Sequence, residues 1–197
     1  MPPLPFIYPY NFIFWPVYCL AFLQEWQMIL GRRQKADENK RQDRGSFRLI
    51  IWGIQFAVIT AFICAFAVPA ATIRNGQVIY FWAGIVILVA AVILRRHCFN
   101  MLGNHFRPAV TVIQGQPVIE RGAYKWVRHP AYLAGILLFV GIGLALGNWI
   151  SIAVSVLVPG AVYGYRIHVE EQALVETLGT PYREYMNRTK RLIPFLF

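Results

Sequence analysis

The chain has 197 residues, of which 57% are hydrophobic and 14% are charged, and a soluble domain of this length does not tolerate so apolar a composition. The composition therefore excludes an ordinary soluble protein and indicates an integral membrane protein. The formal net charge of +10 is explained by loops that contact anionic lipid head groups, so it does not require a nucleic-acid partner.

Five apolar stretches predict membrane-spanning helices, since a helix crosses the hydrocarbon layer with about 20 apolar residues. In chain order they run over about 12–30, 49–71, 78–94, 132–146 and 149–169. Gly147 and Asn148 alone separate the last two stretches, which predicts a tight turn and a helical hairpin. The expected fold is an all-α, multi-pass membrane protein.

The distribution of Lys and Arg predicts the orientation, because basic residues in short loops stay on the cytoplasmic side. Of the 19 basic residues, Arg74 alone falls in a loop assigned to the outer side. The others lie in segments 31–48, 95–128 and 166–191. We therefore expect the N-terminus outside and the C-terminus and active site in the cytoplasm, in the plasma membrane if the source is prokaryotic.

The chain divides into two predicted regions. Residues 1–94 hold helices one to three with a basic cytoplasmic loop over 31–48, and residues 95–197 form the catalytic region. Helix breakers interrupt the segment 95–131, which predicts a folded loop. We expect the loop from Asn104 to Tyr124 to close over a water-soluble ligand. Three scattered cysteines suit neither a disulfide framework nor a metal site and are expected to be core residues.

Two polar clusters flank the predicted hairpin. "YKWVRHPAYLAGILL" puts Arg128 and His129 where the fourth helix begins, and "YGYRIHVEEQALVETLG" puts Arg166 and Glu170 on one face of the fifth helix. The hairpin brings both clusters to one membrane face. Ionisable residues near membrane depth indicate function. Such a site suits a zwitterionic ligand and an anionic group that carries an apolar substituent.

At these positions the chain resembles the isoprenylcysteine carboxyl methyltransferase family, within a wider group of phospholipid methyltransferase-like proteins. The resemblance covers about residues 100–197. The residues that carry it are Arg128, His129, Pro130, Tyr132, Glu170, Glu171, Leu174, Gly179, Tyr182, Tyr185, Arg188 and Pro194.

The resemblance implies an enzyme inside the membrane, without a Rossmann fold, that transfers the methyl group of S-adenosylmethionine to the carboxylate of an isoprenylcysteine-like acceptor. The implied cofactor contacts are Gln116, Pro117, Val118, Ile119, Tyr124, His129, Tyr132 and Glu170. The implied substrate contacts are Arg166 and Tyr163, and the implied catalytic residues are Arg166, Glu171 and Arg128. The implied partners are the lipid bilayer and a lipophilic or prenylated acceptor, with no nucleic acid and no obligate protein partner.

Other functions stay open on the sequence. A phospholipid or small-amine N-methyltransferase would use the same cofactor and would need a base to take the amine proton, with Glu171 as the candidate. A sterol-type reductase would use NADPH, although the small size of the chain disfavours it. A helical scaffold or channel would use the charged residues only to line a pore.

Overall fold

The computed structural model describes residues 2–30, 43–103, 110–112 and 115–193. Within these ranges the protein is all-helical, with no β-strand. The α-helices are α1 (Asn11–Leu30), α2 (Ser46–Ala67), α3 (Gln77–Leu102), α4 (Pro130–Leu146), α5 (Trp149–Leu178) and α6 (Thr180–Arg188). Short 3-10 helices cover Leu4–Phe6, Pro69–Ala71 and Gly122–Lys125.

Three of these helices, α2, α3 and α5, are long and apolar enough to cross a membrane, and α4 is a shorter apolar helix of 17 residues. Each predicted span overlaps one of α1 to α5. The prediction for α2 ended too late, because Val68 precedes a proline and leaves the helical conformation. The prediction for α3 ended too early, since the helix continues through Arg95 and Arg96 and ends at Leu102, with Gly103 as its C-cap.

The fourth helix is the centre of the bundle and packs between α3 and α5. A β-carbon added to Gly141 would lie 2.7 Å from Leu88 Cγ of α3, and one added to Gly143 would lie 2.9 Å from Ile152 Cα of α5. Glycines in α4 therefore let both neighbouring helices approach closely, as small residues do in membrane bundles. Being apolar on every side, α4 suits this buried position.

The α4–α5 turn is the tight turn expected from Gly147 and Asn148. Gly147 has a φ of +64°, a left-handed conformation that glycine adopts without steric cost. The Asn148 side-chain oxygen accepts hydrogen bonds from the backbone N–H groups of Ile150 and Ser151, at 3.0 and 3.1 Å. Asn148 thereby caps α5.

The end of the chain is tied to the beginning of α4. The backbone N–H groups of Arg128 and His129 donate to the carbonyl oxygens of Lys190 and Arg191, at 2.7 and 3.0 Å. The Tyr185 hydroxyl on α6 donates to the Tyr124 carbonyl at 2.6 Å. These bonds fix the loop that carries Arg128 and His129.

The three cysteines differ in burial. Cys98 is buried, Cys64 is half-buried and Cys19 is exposed. The expectation that all three are core residues is therefore wrong for Cys19, which lies on a side of α1 that other helices do not cover.

Candidate active site

A large cavity of about 1660 Å³ lies between the helices and extends to the loop before α4. Ten of the twelve predicted site residues line it, namely Gln116, Pro117, Val118, Ile119, Tyr124, Arg128, His129, Tyr132, Tyr163 and Glu170. Arg166 and Glu171 are not among the lining residues. The loop residues, together with His129, Tyr132 and Glu170, form what we call the polar end of the cavity.

The other end of the cavity is an apolar crevice between α1 and α2. Its side chains are Leu20, Leu23 and Trp26 of α1 and Ile50, Ile51 and Ile54 of α2. Leu23 is 53% exposed and Trp26 is 62% exposed, so the crevice opens on the outer surface of the bundle. We call it the α1–α2 crevice. In a membrane, such a surface faces lipid chains.

A line of hydrogen bonds runs from the polar end to the beginning of α2. The Tyr132 hydroxyl donates to Glu170 Oε2 at 2.5 Å and accepts from Arg166 Nε at 3.1 Å. Arg166 Nη1 also donates to the Ser46 hydroxyl at 2.7 Å and forms an ion pair with Asp43. Arg166 therefore reaches Glu170 through Tyr132, rather than through the direct helix-surface pair that the sequence allowed.

Asp43 is the anion at the far end of this line. Its carboxylate accepts hydrogen bonds from the backbone N–H groups of Val110 and Phe47, both at 3.0 Å, and from the Ser46 hydroxyl at 3.0 Å. Burial alone would raise the pKa of Asp43, but these bonds and the charge of Arg166 hold that pKa below its ordinary value of 3.8. Asp43 therefore stays ionised and joins α2, α5 and the segment 110–112.

Glu171 lies in a separate cluster of charges beneath the loop before α4. It accepts from Arg128 Nε at 2.8 Å and from Arg191 Nε at 3.0 Å, and its Oε1 lies 3.2 Å from His129 Nε2. The side chain of Glu171 is only 5% exposed. Because each neighbour is a donor, the cluster stabilises the carboxylate as an anion and ties the chain end to α4 and α5.

Arg95 of α3 and Glu25 of α1 form a bidentate ion pair that lines the cavity. Arg95 Nε donates to Glu25 Oε1 at 2.5 Å, and Arg95 Nη2 donates to Glu25 Oε2 at 2.8 Å. The third nitrogen of the guanidinium donates to the carbonyl of Ala131, two residues after His129. The pair therefore lies where the polar end meets the α1–α2 crevice.

Comparison with known proteins gives one family match. Residues 83–176 match the model of the isoprenylcysteine carboxyl methyltransferase family. The matched segment is just under half of the chain, and over this segment the chain is similar to that family. Protein-S-isoprenylcysteine O-methyltransferase of Saccharomyces cerevisiae is 35% identical over 79 residues, which is 40% of this chain and 33% of the yeast protein.

Other relatives match more of the chain. The Schizosaccharomyces pombe protein of the same name is 29% identical over 50% of this chain and 48% of its own length. Uncharacterized protein YpbQ of Bacillus subtilis is 25% identical over 83% of this chain and 98% of its own length. The chain thus spans a third to a half of the two yeast enzymes it matches.

The fold of the chain agrees with a solved structure. A eukaryotic intramembrane Ras methyltransferase, isoprenylcysteine carboxyl methyltransferase, superposes with a TM-score of 0.69 at 19% identity, over 98% of this chain and 70% of that chain. At this identity the likeness establishes the fold alone. Together with the three spanning helices, it makes the chain an integral membrane protein.

The sequence analysis missed three charged residues of the site, namely Glu25, Asp43 and Arg95. Arg95 lies in the matched region, whereas Glu25 and Asp43 precede it. A signal existed for Arg95 and Glu25, since each is an ionisable residue at the end of an apolar stretch. Asp43 gave no such signal, because it lies among many charged residues of the loop after α1. Residues 31–42 and 104–109 lie outside the described residues, as does Pro194.

Proposed function

We propose that the chain is a membrane methyltransferase that transfers the methyl group of S-adenosylmethionine to the carboxylate of an isoprenylcysteine-like acceptor. One observation carries this proposal. A single cavity joins a polar end, suited to a water-soluble cofactor, to an apolar crevice that opens on the outer surface, and a guanidinium lies between the two. The match of residues 83–176 to the isoprenylcysteine carboxyl methyltransferase family supports the same reaction class.

The polar end fits S-adenosylmethionine in charge and in hydrogen bonding. Within the described ranges Glu170 accepts from Tyr132 and forms no ion pair, so its carboxylate is available to the cofactor's ammonium or ribose hydroxyls. The buried Tyr124 hydroxyl has no hydrogen-bond partner among the described residues. Burial raises the pKa of Tyr124, so this hydroxyl stays protonated and available as a donor. The segment 116–119 would cover the rest of the cofactor.

The chemistry of a carboxylate acceptor needs little from the protein. Bound S-adenosylmethionine would supply a methyl group on a positively charged sulfur and would leave as the neutral thioether S-adenosylhomocysteine. The acceptor carboxylate is ionised at pH 7, so one of its oxygens would accept the methyl group directly. No proton moves, so no general base is required. The protein contributes alignment and exclusion of water.

Arg95 is better placed than Arg166 to hold the acceptor carboxylate. The role of acceptor anchor fell to Arg166 on sequence grounds, but Arg166 is absent from the cavity lining and pairs with Asp43. Arg95 lines the cavity beside the crevice. A planar guanidinium binds a carboxylate through two parallel hydrogen bonds, as Arg95 does with Glu25. We therefore propose that Arg95 binds the acceptor carboxylate and that Arg166 positions the hydroxyl of Tyr132.

The geometry disfavours an amine N-methyltransferase that uses Glu171 as its base. The base predicted for it, Glu171, lies outside the cavity lining and accepts from two arginines. A carboxylate held in this way is a poor proton acceptor. We propose, in addition, that the polar end faces the cytoplasm, where a water-soluble cofactor is available and where the basic loops are retained.

The proposal is tested by incubating the purified protein with S-adenosylmethionine labelled in the methyl group and with S-farnesylcysteine or phosphatidylethanolamine. We expect a base-labile methyl ester on S-farnesylcysteine and no label on the lipid amine. Label on the amine alone would replace the proposal with the N-methyltransferase. Absence of S-adenosylhomocysteine binding would contradict both the carboxyl methyltransferase and the N-methyltransferase.

Arg95→Lys and Arg166→Lys form a matched pair for the acceptor anchor. Lysine keeps the positive charge but cannot form the bidentate hydrogen bonds of a guanidinium. Arg95→Lys should therefore lower kcat/KM for the carboxylate acceptor by about 10- to 1000-fold, which is about 1.4–4 kcal/mol. The affinity for S-adenosylhomocysteine should hardly change in Arg95→Lys. It should fall in Arg166→Lys, because the native Arg166 contacts Tyr132, which in turn donates to Glu170. The reverse pattern would return the anchor to Arg166.

A further inference from the structure

The carboxylate of Asp43, just before α2, accepts from four donors in the wall of the cavity. Its Oδ1 accepts from the Ser46 hydroxyl and the Val110 N–H and pairs with the guanidinium of Arg166. Its Oδ2 accepts from the Phe47 N–H. An asparagine amide presents a donor in place of one of the two oxygens, so it cannot accept the same four bonds. The position therefore requires a carboxylate.

The bond to the Phe47 N–H holds the first turn of α2, where the proposed acceptor surface begins. The Phe47 side chain lines the cavity, as do Ile50, Ile51 and Ile54 further along the helix. Positions 47, 50, 51 and 54 have the spacing of one helix face. This face includes the α2 side of the α1–α2 crevice, so Asp43 holds the helix end from which that wall of the crevice extends.

The bonds to Arg166 and Val110 connect the same carboxylate to the polar end. Arg166 Nε donates to the Tyr132 hydroxyl, which donates to Glu170 Oε2 in the cavity wall. Val110 belongs to an apolar cluster against which Leu174 of α5, another residue of the cavity wall, is packed. One side chain thus connects the surface proposed for the acceptor to the groups proposed for the cofactor.

Methyl transfer depends on where the two ligands lie relative to each other. The acceptor oxygen and the methyl carbon react only from close and aligned positions, and a misplacement of about 1 Å can lower the rate by about 100-fold. In this cavity the acceptor's chain would lie against α2, whereas the cofactor's contacts are on α4, on α5 and in the loop before α4. The rate of transfer therefore depends on how firmly α2 is held to α5.

Resting on the proposed function, we propose that Asp43 is a positioning residue for methyl transfer, which holds the acceptor surface of α2 in place relative to the cofactor contacts Tyr132 and Glu170. Asp43 acts through Arg166 and through the backbone rather than on the reacting atoms. Without its carboxylate, each ligand keeps its own contacts and still binds, but fewer of the complexes have the aligned geometry. Asp43 precedes the segment 83–176 that matches the family model.

The test measures a single turnover on protein loaded with methyl-labelled S-adenosylmethionine, because this rate constant reports only molecules that are folded and hold the cofactor. With saturating N-acetyl-S-farnesylcysteine, Asp43→Asn should lower the rate constant by about 10- to 100-fold. The dissociation constants of S-adenosylhomocysteine and of the acceptor should each change by less than about threefold.

Gln172→Ala is the matched control. It removes a 2.6 Å hydrogen bond from Arg44 Nη1 to Gln172 Oε1, which joins the residue after Asp43 to α5 at the exposed surface. This bond does not involve the carboxylate of Asp43 or the hydroxyl of Tyr132. The single-turnover rate constant of Gln172→Ala should therefore equal that of the wild type.

A purely structural role of Asp43 predicts less folded protein with an unchanged single-turnover rate constant, and that outcome overturns the proposal. An equal loss in Gln172→Ala, or a loss of ligand affinity that accounts for the slower transfer, overturns it as well. If Asp43→Asn does not fold, Ser46→Ala decides, since it removes the hydroxyl between Arg166 and Asp43 and keeps their ion pair.

Ser46→Ala should lower the same rate constant by about two- to tenfold, and an unchanged rate constant overturns the role of Asp43. The wild type separates this proposal from the proposed function. Failure of the wild type to form a methyl ester overturns both, whereas transfer by the wild type with unaffected variants overturns only the role of Asp43.

Discussion

Among the described residues, three largely buried ion pairs join parts of the chain that lie far apart in sequence. Glu25 and Arg95 are 70 residues apart, Asp43 and Arg166 are 123 apart, and Arg128 and Glu171 are 43 apart. Within a membrane bundle each charge is costly unless it is paired. The pairs therefore fix α1, α2 and the chain end against the region that resembles known methyltransferases.

Adjacent carboxylates on α5 are expected to have different roles. Glu170 faces the cavity and forms no ion pair with the described residues, so Glu170→Gln should weaken S-adenosylhomocysteine binding by about 10- to 100-fold, which is about 1.4–2.7 kcal/mol. The melting temperature should change little. Isothermal titration calorimetry and a thermal melt in detergent measure the two quantities.

Glu171→Gln should lower the melting temperature strongly and should affect S-adenosylhomocysteine binding less. It leaves Arg128 and Arg191 without their anion, and removing one partner from a buried pair costs about 3–5 kcal/mol. We expect a clear fall in the melting temperature, with residual cofactor affinity in the fraction that remains folded. A variant that keeps the wild-type melting temperature and loses methyl transfer would instead give Glu171 a direct part in the reaction.

The sequence predicted part of this arrangement, and the reason for the remainder is physical. Arg128, His129, Tyr132 and Glu170 could be found because they follow one another in a recognisable order around a hairpin. Asp43 could not be found, because its partner Arg166 is 123 residues away and nothing in a charged loop shows which carboxylate is buried. Long-range pairing depends on helix packing, which periodicity alone does not specify.

The close contact between α3 and α4 depends on glycine at position 84 of α3. A β-carbon at Gly84 would lie 2.6 Å from the Gly141 carbonyl oxygen and 2.7 Å from the Ala145 backbone nitrogen. Backbone atoms cannot move aside, so Gly84→Ala should destabilise the protein by about 1–3 kcal/mol. Gly160→Ala on α5 is the matched control, since nothing lies within 4 Å of its added β-carbon. Thermal unfolding in detergent measures both, and equal melting temperatures would mean that the helices separate at little cost.

Asp43 makes the attachment of α2 to α5 sensitive to pH. Because the folded-state pKa of Asp43 is lower than its ordinary value, the carboxylate contributes stability above that ordinary value, and this contribution is lost as pH falls through the folded-state pKa. Asp43→Asn removes the titrating group. The wild type should therefore melt at a higher temperature than Asp43→Asn at pH 7, and the gap should narrow below about pH 4. A gap that stays constant with pH would contradict the ion pair.

The ends of the helices were harder to predict than their existence. Apolar composition located α1 to α5, but α3 continues for eight residues beyond the predicted end at 94. Arg95 is tolerated there because Glu25 neutralises it, and this depends on a different helix. The α4–α5 turn was predictable, since glycine and asparagine have local preferences that do not depend on the rest of the fold.

The cavity draws on both of the regions into which the sequence was divided. Its polar end comes from residues after 115, whereas the α1–α2 crevice comes entirely from residues before 94. Helices α1 and α2 carry no recognisable motif, yet they provide the surface on which an apolar chain can lie. The division at residue 94 therefore describes the sequence pattern better than it describes the cavity.

If the acceptor's prenyl chain lies in the α1–α2 crevice, a bulky residue there should reduce acceptor binding and leave cofactor binding intact. Ile54 of α2 lines the crevice, and Ile59, five residues further along the same helix, is exposed and does not line the cavity. Ile54→Trp should lower kcat/KM for S-farnesylcysteine by about tenfold or more, about 1.4 kcal/mol, mainly through a higher KM. Ile59→Trp should behave like the wild type. An acceptor with the shorter geranyl chain should lose less, because it fills less of the crevice. Equal effects of the two tryptophans, or a matching loss of S-adenosylhomocysteine affinity, would show that the prenyl chain enters elsewhere.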